Sequence, residues 1–188
     1  MVTIIEPALP SLAIDSFLKR YPTEKRRARI RPSYQAMLTE VAELAEPKAI
    51  REEFSLDELP DLADLFPAEA VSVVLAVCTL GMALDERGRE LVEADMMLAA
   101  VLEEVALAAM VSLTRTVHGQ IRAEMKELGL KAGPAYRPGI GRWPLTAQQA
   151  IFTLLPAQRI HVSLNDVAVM TPKMSTSLII PILDRRQK

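Results

Sequence analysis

The sequence predicts an α+β fold, with a mostly antiparallel sheet packed on a long central helix, and three observations carry that reading. The run VSVVLAVCTLG is rich in β-branched residues and stops at Gly81, as a buried strand does. From Asp85 to Leu130 the chain has no proline and is dense in alanine, leucine, methionine and glutamate, a helical composition. Toward the C-terminus lie short apolar runs, Arg159 to Leu164, Val167 to Met170 and Ser177 to Leu183, and Asn165-Asp166 parts the first two as a tight turn.

Taken in order, Pro32-Ser33 opens a helix in which Met37, Leu38, Val41, Leu44 and Ala45 recur at helical spacing, and Pro47 closes it. Ile50, Phe54 and Leu56 suit a short strand within Lys48 to Leu56, ahead of an acidic loop from Asp57 to Asp64. The helical tract after Asp85 exceeds the usual length of one helix, which predicts a break near Glu93 to Asp95, with Asp95 as cap, and a second helix ending before Gly129. Apolar residues nearly encircle its axis from Ala99 to Leu113, placing it centrally and buried, with Met96, Met97, Met110 and Met125 as adaptable core filling. Gly129, Gly133, Pro134, Pro138, Gly139, Gly141 and Pro144 make residues 129–145 a structured loop without regular structure, in which Trp143 either lies beside a ligand or anchors the loop on the core. Thr146, with Gln149 three residues on, reads as a capping-box start for a helix to Leu155, stopped by Pro156.

No repeat or dividing linker appears, so the expectation is one domain over residues 1–188. Half of the residues are hydrophobic and 24% charged, which suits a globular chain. A formal net charge of -2 gives no long-range attraction for polyanions. The basic run Lys25-Arg26-Arg27 with Arg29 and Arg31 lacks interleaved aromatics, so it reads as a solvated loop or a contact for an acidic partner, not a nucleic-acid site. Cys78 is the single cysteine, no intramolecular disulfide can form, and the expected compartment is the cytoplasm. The start MVTIIEPALP lacks the basic and apolar parts of a signal peptide, and Ala70 to Leu84 is too short to span a bilayer, so no membrane partner is expected.

Catalytic and metal chemistry find little support. His118 and His161, the two histidines, stand at no metal-ligand spacing from Cys78 or a carboxylate. Ser163, His161 and Asp166 are near-neighbours on a strand and turn, without the elbow a nucleophilic serine needs. Gly139-Ile140-Gly141 lacks the third glycine and the preceding strand of a dinucleotide fingerprint.

Three segments taken together resemble one family. AVCTLGMALDERGRELVEADMMLAAVLEEVALAAM, YRPGIGRWPLTAQQAIFTLL and RIHVSLNDVAVMTPKMSTSLIIPI, in that order, are similar to the activation domain of cobalamin-dependent methionine synthase, in its short stand-alone bacterial form. The resemblance implies a curved antiparallel sheet, S-adenosylmethionine as ligand, and reductive reactivation of a corrinoid-dependent methyltransferase, with cobalamin supplied by a corrinoid-binding partner protein. The alternative it leaves is a module of that fold that binds a corrinoid protein as adaptor or chaperone without the ligand. Oligomeric state stays open, a homo-oligomer included.

The family's loop carries an arginine, three residues, glycine and tyrosine, in which the arginine holds the ligand's carboxylate and backbone near the glycine meets its adenosyl part. Matching Pro138-Gly139 and Trp143-Pro144-Leu145 to that loop places Ala135 at the arginine position and Ile140 at the tyrosine position. Val111 stands where the stand-alone relatives carry a helix glutamate. The ligand-binding set implied is therefore Ala135, Arg137, Pro138, Gly139, Ile140 and Gly141. Arg137 is offset by two from the family arginine, a spacing that returns a side chain to the same face of an extended segment, and Arg142 is a second candidate.

Overall fold

A computed structural model describes residues 1–184 of the chain. In order, it runs through β1 (Thr3–Ile5), α1 (Ile14–Leu18), α2 (Glu24–Leu44), β2 (Lys48–Phe54), 3₁₀ turns at Leu56–Glu58 and Pro60–Leu65, and β3 (Ala70–Thr79). There follow α3 (Ala83–Ala94), α4 (Met96–Glu127), β4 (Leu130–Ala132), α5 (Ala147–Leu154), a 3₁₀ turn at Ala157–Ile160, β5 (Ser163–Leu164), β6 (Met170–Thr171) and β7 (Ser175–Asp184). Five strands form one antiparallel sheet in the order β1-β2-β3-β7-β4, and β5 and β6 make a small hairpin.

The α+β prediction holds, and the β3 run shows why it reads as continuously apolar. Side chains alternate across a strand, so Val74, Ala76 and Cys78 join Leu178, Ile180 and Ile182 under α2 and α4. Val73, Leu75 and Val77 join Ile179 on the opposite face, against Trp143, Ile151, Leu155 and Ile160. Both faces are covered, so no polar alternation remains.

The break at Asp95 is confirmed with its mechanism. Asp95 leaves the helical region at φ -155°, and its carboxylate accepts the N–H groups of Met97 and Leu98 at 2.9 and 3.1 Å, satisfying two free donors of α4. Asp95→Ala is expected to cost about 1 kcal/mol, read as a lower urea midpoint at unchanged m.

Several local expectations are corrected. The first long helix opens at Glu24, where Thr23 accepts the Arg26 N–H at 3.3 Å, and Pro32 lies inside it. The proline costs one backbone bond, but Ala28, whose carbonyl loses its donor, is exposed, and Tyr34, Met37 and Val41 bury the far half of the helix. The basic run is consequently a helical turn and not a loop; Arg27 donates to the Tyr21 carbonyl at 2.9 Å and Arg31 pairs with Asp15 at 3.3 Å. The acidic loop folds into the two 3₁₀ turns, the first of them closed by a Ser55–Glu58 capping box. At Arg159 to His161 the expected strand is replaced by a 3₁₀ turn. Thr146 sits in helical conformation with no side-chain capping bond, so its capping box does not form.

α4 buries a stripe through Val101, Val105, Ala109, Leu113, Val117 and Ile121. It is not buried all round: Leu107 is 57% exposed, and Met96 and Met97 are exposed as well, because no element covers the outer side of this helix. Among the described residues it is the one helix long and apolar enough to cross a membrane by length and composition, and its buried stripe fits a core helix equally. Tyr34 donates to the Glu104 carboxylate at 2.7 Å, and Arg20 donates to both, tying α1 and α2 to α4. Burial, then the contacts with Tyr21 and Glu104, holds the Tyr34 hydroxyl well above its ordinary pKa, with the Arg20 charge opposing.

Candidate functional site

The segment after α4 is less irregular than its glycines and prolines suggest. Leu130–Ala132 pairs with β7 as the edge strand β4, and the Gly133 N–H continues the ladder onto the Pro181 carbonyl at 2.8 Å. A Cβ at Gly133 would lie 3.1 Å from that oxygen, tighter than an ordinary contact, so the close approach favours glycine. Tyr136 then exchanges two 2.9 Å backbone bonds with Ile179.

That pairing sets the direction of the side chains around it. Tyr136 points to the Trp143 side of the sheet, where the two rings stack 5.0 Å apart at 30°. Its neighbours point the other way: Ala135 packs among the residues under α4, and Arg137 donates from Nη2 to Thr114 Oγ1 on α4 at 3.2 Å. The offset of two therefore does return Arg137 to the face of Ala135. Thr114 in turn donates to the Val111 carbonyl at 2.9 Å, so Arg137 reaches the turn of α4 that contains Val111. Among the described residues no carboxylate pairs with Arg137.

From Pro138 the chain turns back on itself. The Ile140 N–H donates to the Arg137 carbonyl at 3.2 Å, the Gly139 N–H to the Trp143 carbonyl at 2.9 Å, and the Trp143 N–H to the Ile140 carbonyl at 3.3 Å. Gly139 and Gly141 supply positive φ, 80° and 63°, where other residues are strained. Leu145 and Trp143 fill the inner side of this turn, with a Cβ at Gly139 meeting Leu145 Cδ1 at 3.3 Å. Gly139, Ile140 and Gly141 are exposed on the outer side.

Arg142 does not join Arg137. It donates to the Leu65 carbonyl, beside the 3₁₀ turns on the opposite side of the sheet, because the two left-handed glycines reverse the chain between the arginines. Trp143 takes the anchoring place, 2% exposed and edge-on to Phe66 at 5.4 Å. Thr114 carries no local signal of its contact with Arg137, since it reads as one polar residue in an apolar helix.

Two cavities flank this segment without being lined by residues 135–141. One of about 740 Å³ lies between α3, α4 and Lys173-Met174, and its rim holds the exposed Val92 and Met96. The other, of about 420 Å³, lies between the C-terminal half of α4 and β4.

The two histidines take structural places. His118 donates from Nε2 to the Gly133 carbonyl at 2.8 Å, and His161 caps a 3₁₀ turn at φ 60°. Among the described residues no group of three or more His, Cys, Asp or Glu could hold a metal ion. Burial pushes the Cys78 thiol up to about 12, with the Arg137 charge a smaller opposing influence. Cys78 is accordingly expected to resist iodoacetamide at pH 8 in the folded chain and to react on unfolding in urea, checked by mass spectrometry.

No family model and no curated protein matches the chain. Among solved structures, a crystal structure of the MetH reactivation domain bound to AdoHcy is similar to it, with a TM-score of 0.72, 14% identity, and coverage of 96% of this chain and 78% of that one. A likeness at that identity carries the architecture alone. The curled antiparallel sheet crossed by one long helix is the fold of the MetH reactivation domain.

Proposed function

We propose that the chain works as one cytoplasmic domain that holds an S-adenosylmethionine-type ligand in the seam between residues 135–141 and α4. It would thereby assist reductive reactivation of a corrinoid-dependent methyltransferase. One observation carries the reading: Arg137 lands on the α4 face, steadied by the neutral Thr114 hydroxyl, with its positive charge unpaired among the described residues. A planar guanidinium so held suits a carboxylate, the group the ligand's amino-acid end presents. Ala135 packs on the α4 side of the sheet, Pro138 leads into the turn, and Gly139 and Gly141 expose their backbone beyond it. Ile140, 60% exposed, gives apolar contact where an aromatic ring would stack. The fold's occurrence in a domain bound to AdoHcy supports an adenosyl ligand here. The bound ligand would supply the methyl group, and cobalamin would arrive on a partner protein.

A second reading, an adaptor for a corrinoid protein without the ligand, is favoured by two specific features. The Gly139 and Ile140 N–H groups are already bonded within the turn, and Val111 places no carboxylate on α4 for the ligand's amino group. Titration of the chain with S-adenosylmethionine by calorimetry separates the two. The first reading expects saturable one-site binding; a flat trace at millimolar ligand, with a corrinoid protein still captured, supports the second.

A further inference from the structure

The cleft of about 420 Å³ beside β4 has a chemistry that the seam does not share. His118, Arg122 and Lys126 fall at positions i, i+4 and i+8 of α4, so they form one stripe along one wall. Lys131 comes from β4 on the other side. Among the described residues none of Arg122, Lys126 or Lys131 makes an ion pair. The neighbouring carboxylate of Glu124 turns away to grip Arg51 with two bonds of 2.7 and 2.5 Å, and Asp184, at the end of β7, has an interaction of its own.

Helix electrostatics explain part of this arrangement. Lys126 lies in the last turn of α4, where a cation complements the helix dipole. Arg122 is a turn earlier and Lys131 is not on the helix, so the dipole accounts for neither. Like charges four residues apart repel, and among the described residues no carboxylate is ion-paired with them in the cleft. The backbone wall is tied down: His118 donates to the Gly133 carbonyl at 2.8 Å, and the Gly133 N–H donates to the Pro181 carbonyl at 2.8 Å. Leu130 and Leu183 add a half-exposed apolar side. The volume falls within the range of small-molecule sites and far exceeds the ~30 Å³ of a single water.

We propose that this cleft binds the phosphate group of a small metabolite, with Arg122, Lys126 and Lys131 around the phosphate and Leu130 and Leu183 beside its carbon part. Three unpaired cations facing one concavity concentrate positive potential there, even in a chain whose net charge is -2. A guanidinium on one wall and ammonium groups beside it match the several acceptor oxygens of a phosphate. The inference is independent of the adenosyl reading.

The test is calorimetric titration of the full chain with inorganic phosphate, pyrophosphate and AMP. Saturable binding at one site is expected for at least one of these anions, with AMP the tightest if the apolar side contributes and pyrophosphate the tightest if the charge alone does. Arg122→Ala and Lys131→Ala are each expected to weaken it about tenfold. Arg115→Ala, exposed on the same helix outside the cleft, should leave it unchanged. All three side chains are exposed, and circular dichroism verifies that the variants fold. Flat titrations with all three anions at millimolar concentration would overturn the proposal. So would an equal loss in Arg115→Ala, which would reveal diffuse charge attraction in place of a site.

Discussion

Trp143→Ala is expected to destabilise the fold by about 3–5 kcal/mol, the largest single-residue loss among the changes considered. The indole is 2% exposed and fills the space between Tyr136, 5.0 Å away, and Phe66, 5.4 Å away, on the sheet face opposite α4. Alanine would leave a cavity between two aromatic rings and loosen the turn whose ends the Trp143 backbone closes. Trp143→Phe should cost much less, because the indole Nε1 has no hydrogen-bond partner among the described residues and its removal breaks no bond. Urea unfolding at constant m measures both. A loss under about 1 kcal/mol for the alanine variant would show that the turn holds without its anchor.

Arg137→Ala is expected to weaken S-adenosylmethionine binding by one to two orders of magnitude, since a charge-assisted hydrogen bond contributes about 1.5–3 kcal/mol. Arg142→Ala is the matched control. Its guanidinium is bonded to the Leu65 carbonyl across the sheet, so removing it should leave affinity within about twofold, less than the value of one neutral hydrogen bond. Thr114→Val tests the steadying hydroxyl: it keeps the volume, removes the 3.2 Å bond to Arg137, and should lower affinity by less than Arg137→Ala does. Equal effects of Arg137→Ala and Arg142→Ala on calorimetric affinity would dissociate binding from the seam.

Much of the scaffold was readable because it follows periodicities that a single chain displays. The unbroken apolar run through Val73 to Cys78 predicted a strand, and its burial on two faces explains the absence of alternation. Asp95 predicted the helix break because a short acceptor before a helical tract has one dominant use, capping. The start of α2 was missed because its first turns carry mostly charged residues, and proline at position 32 is a stronger sequence signal than threonine at 23. The exposed side of α4 was missed for a different reason: composition shows which faces are apolar, but only the number of covering layers shows which are buried.

The candidate site divides the same way. Period-two geometry alone placed Arg137 beside Ala135, and the Tyr136–Ile179 bridge bears that out. The fate of Arg142 depended on two positive-φ glycines that redirect the chain, and the role of Thr114 on a tertiary contact 23 residues away. Neither leaves a local pattern. β4 was hidden among glycines and prolines because edge pairing is satisfied by three residues whose partner, β7, lies some fifty positions onward.

The most direct measurement is a crystal structure of the chain soaked with S-adenosylhomocysteine. Ligand density is expected in the seam, with the amino-acid carboxylate on Arg137 and the adenosyl part against Gly139 to Gly141. Density confined to either flanking cavity, with Arg137 still on Thr114 and nothing over the glycine turn, would contradict it.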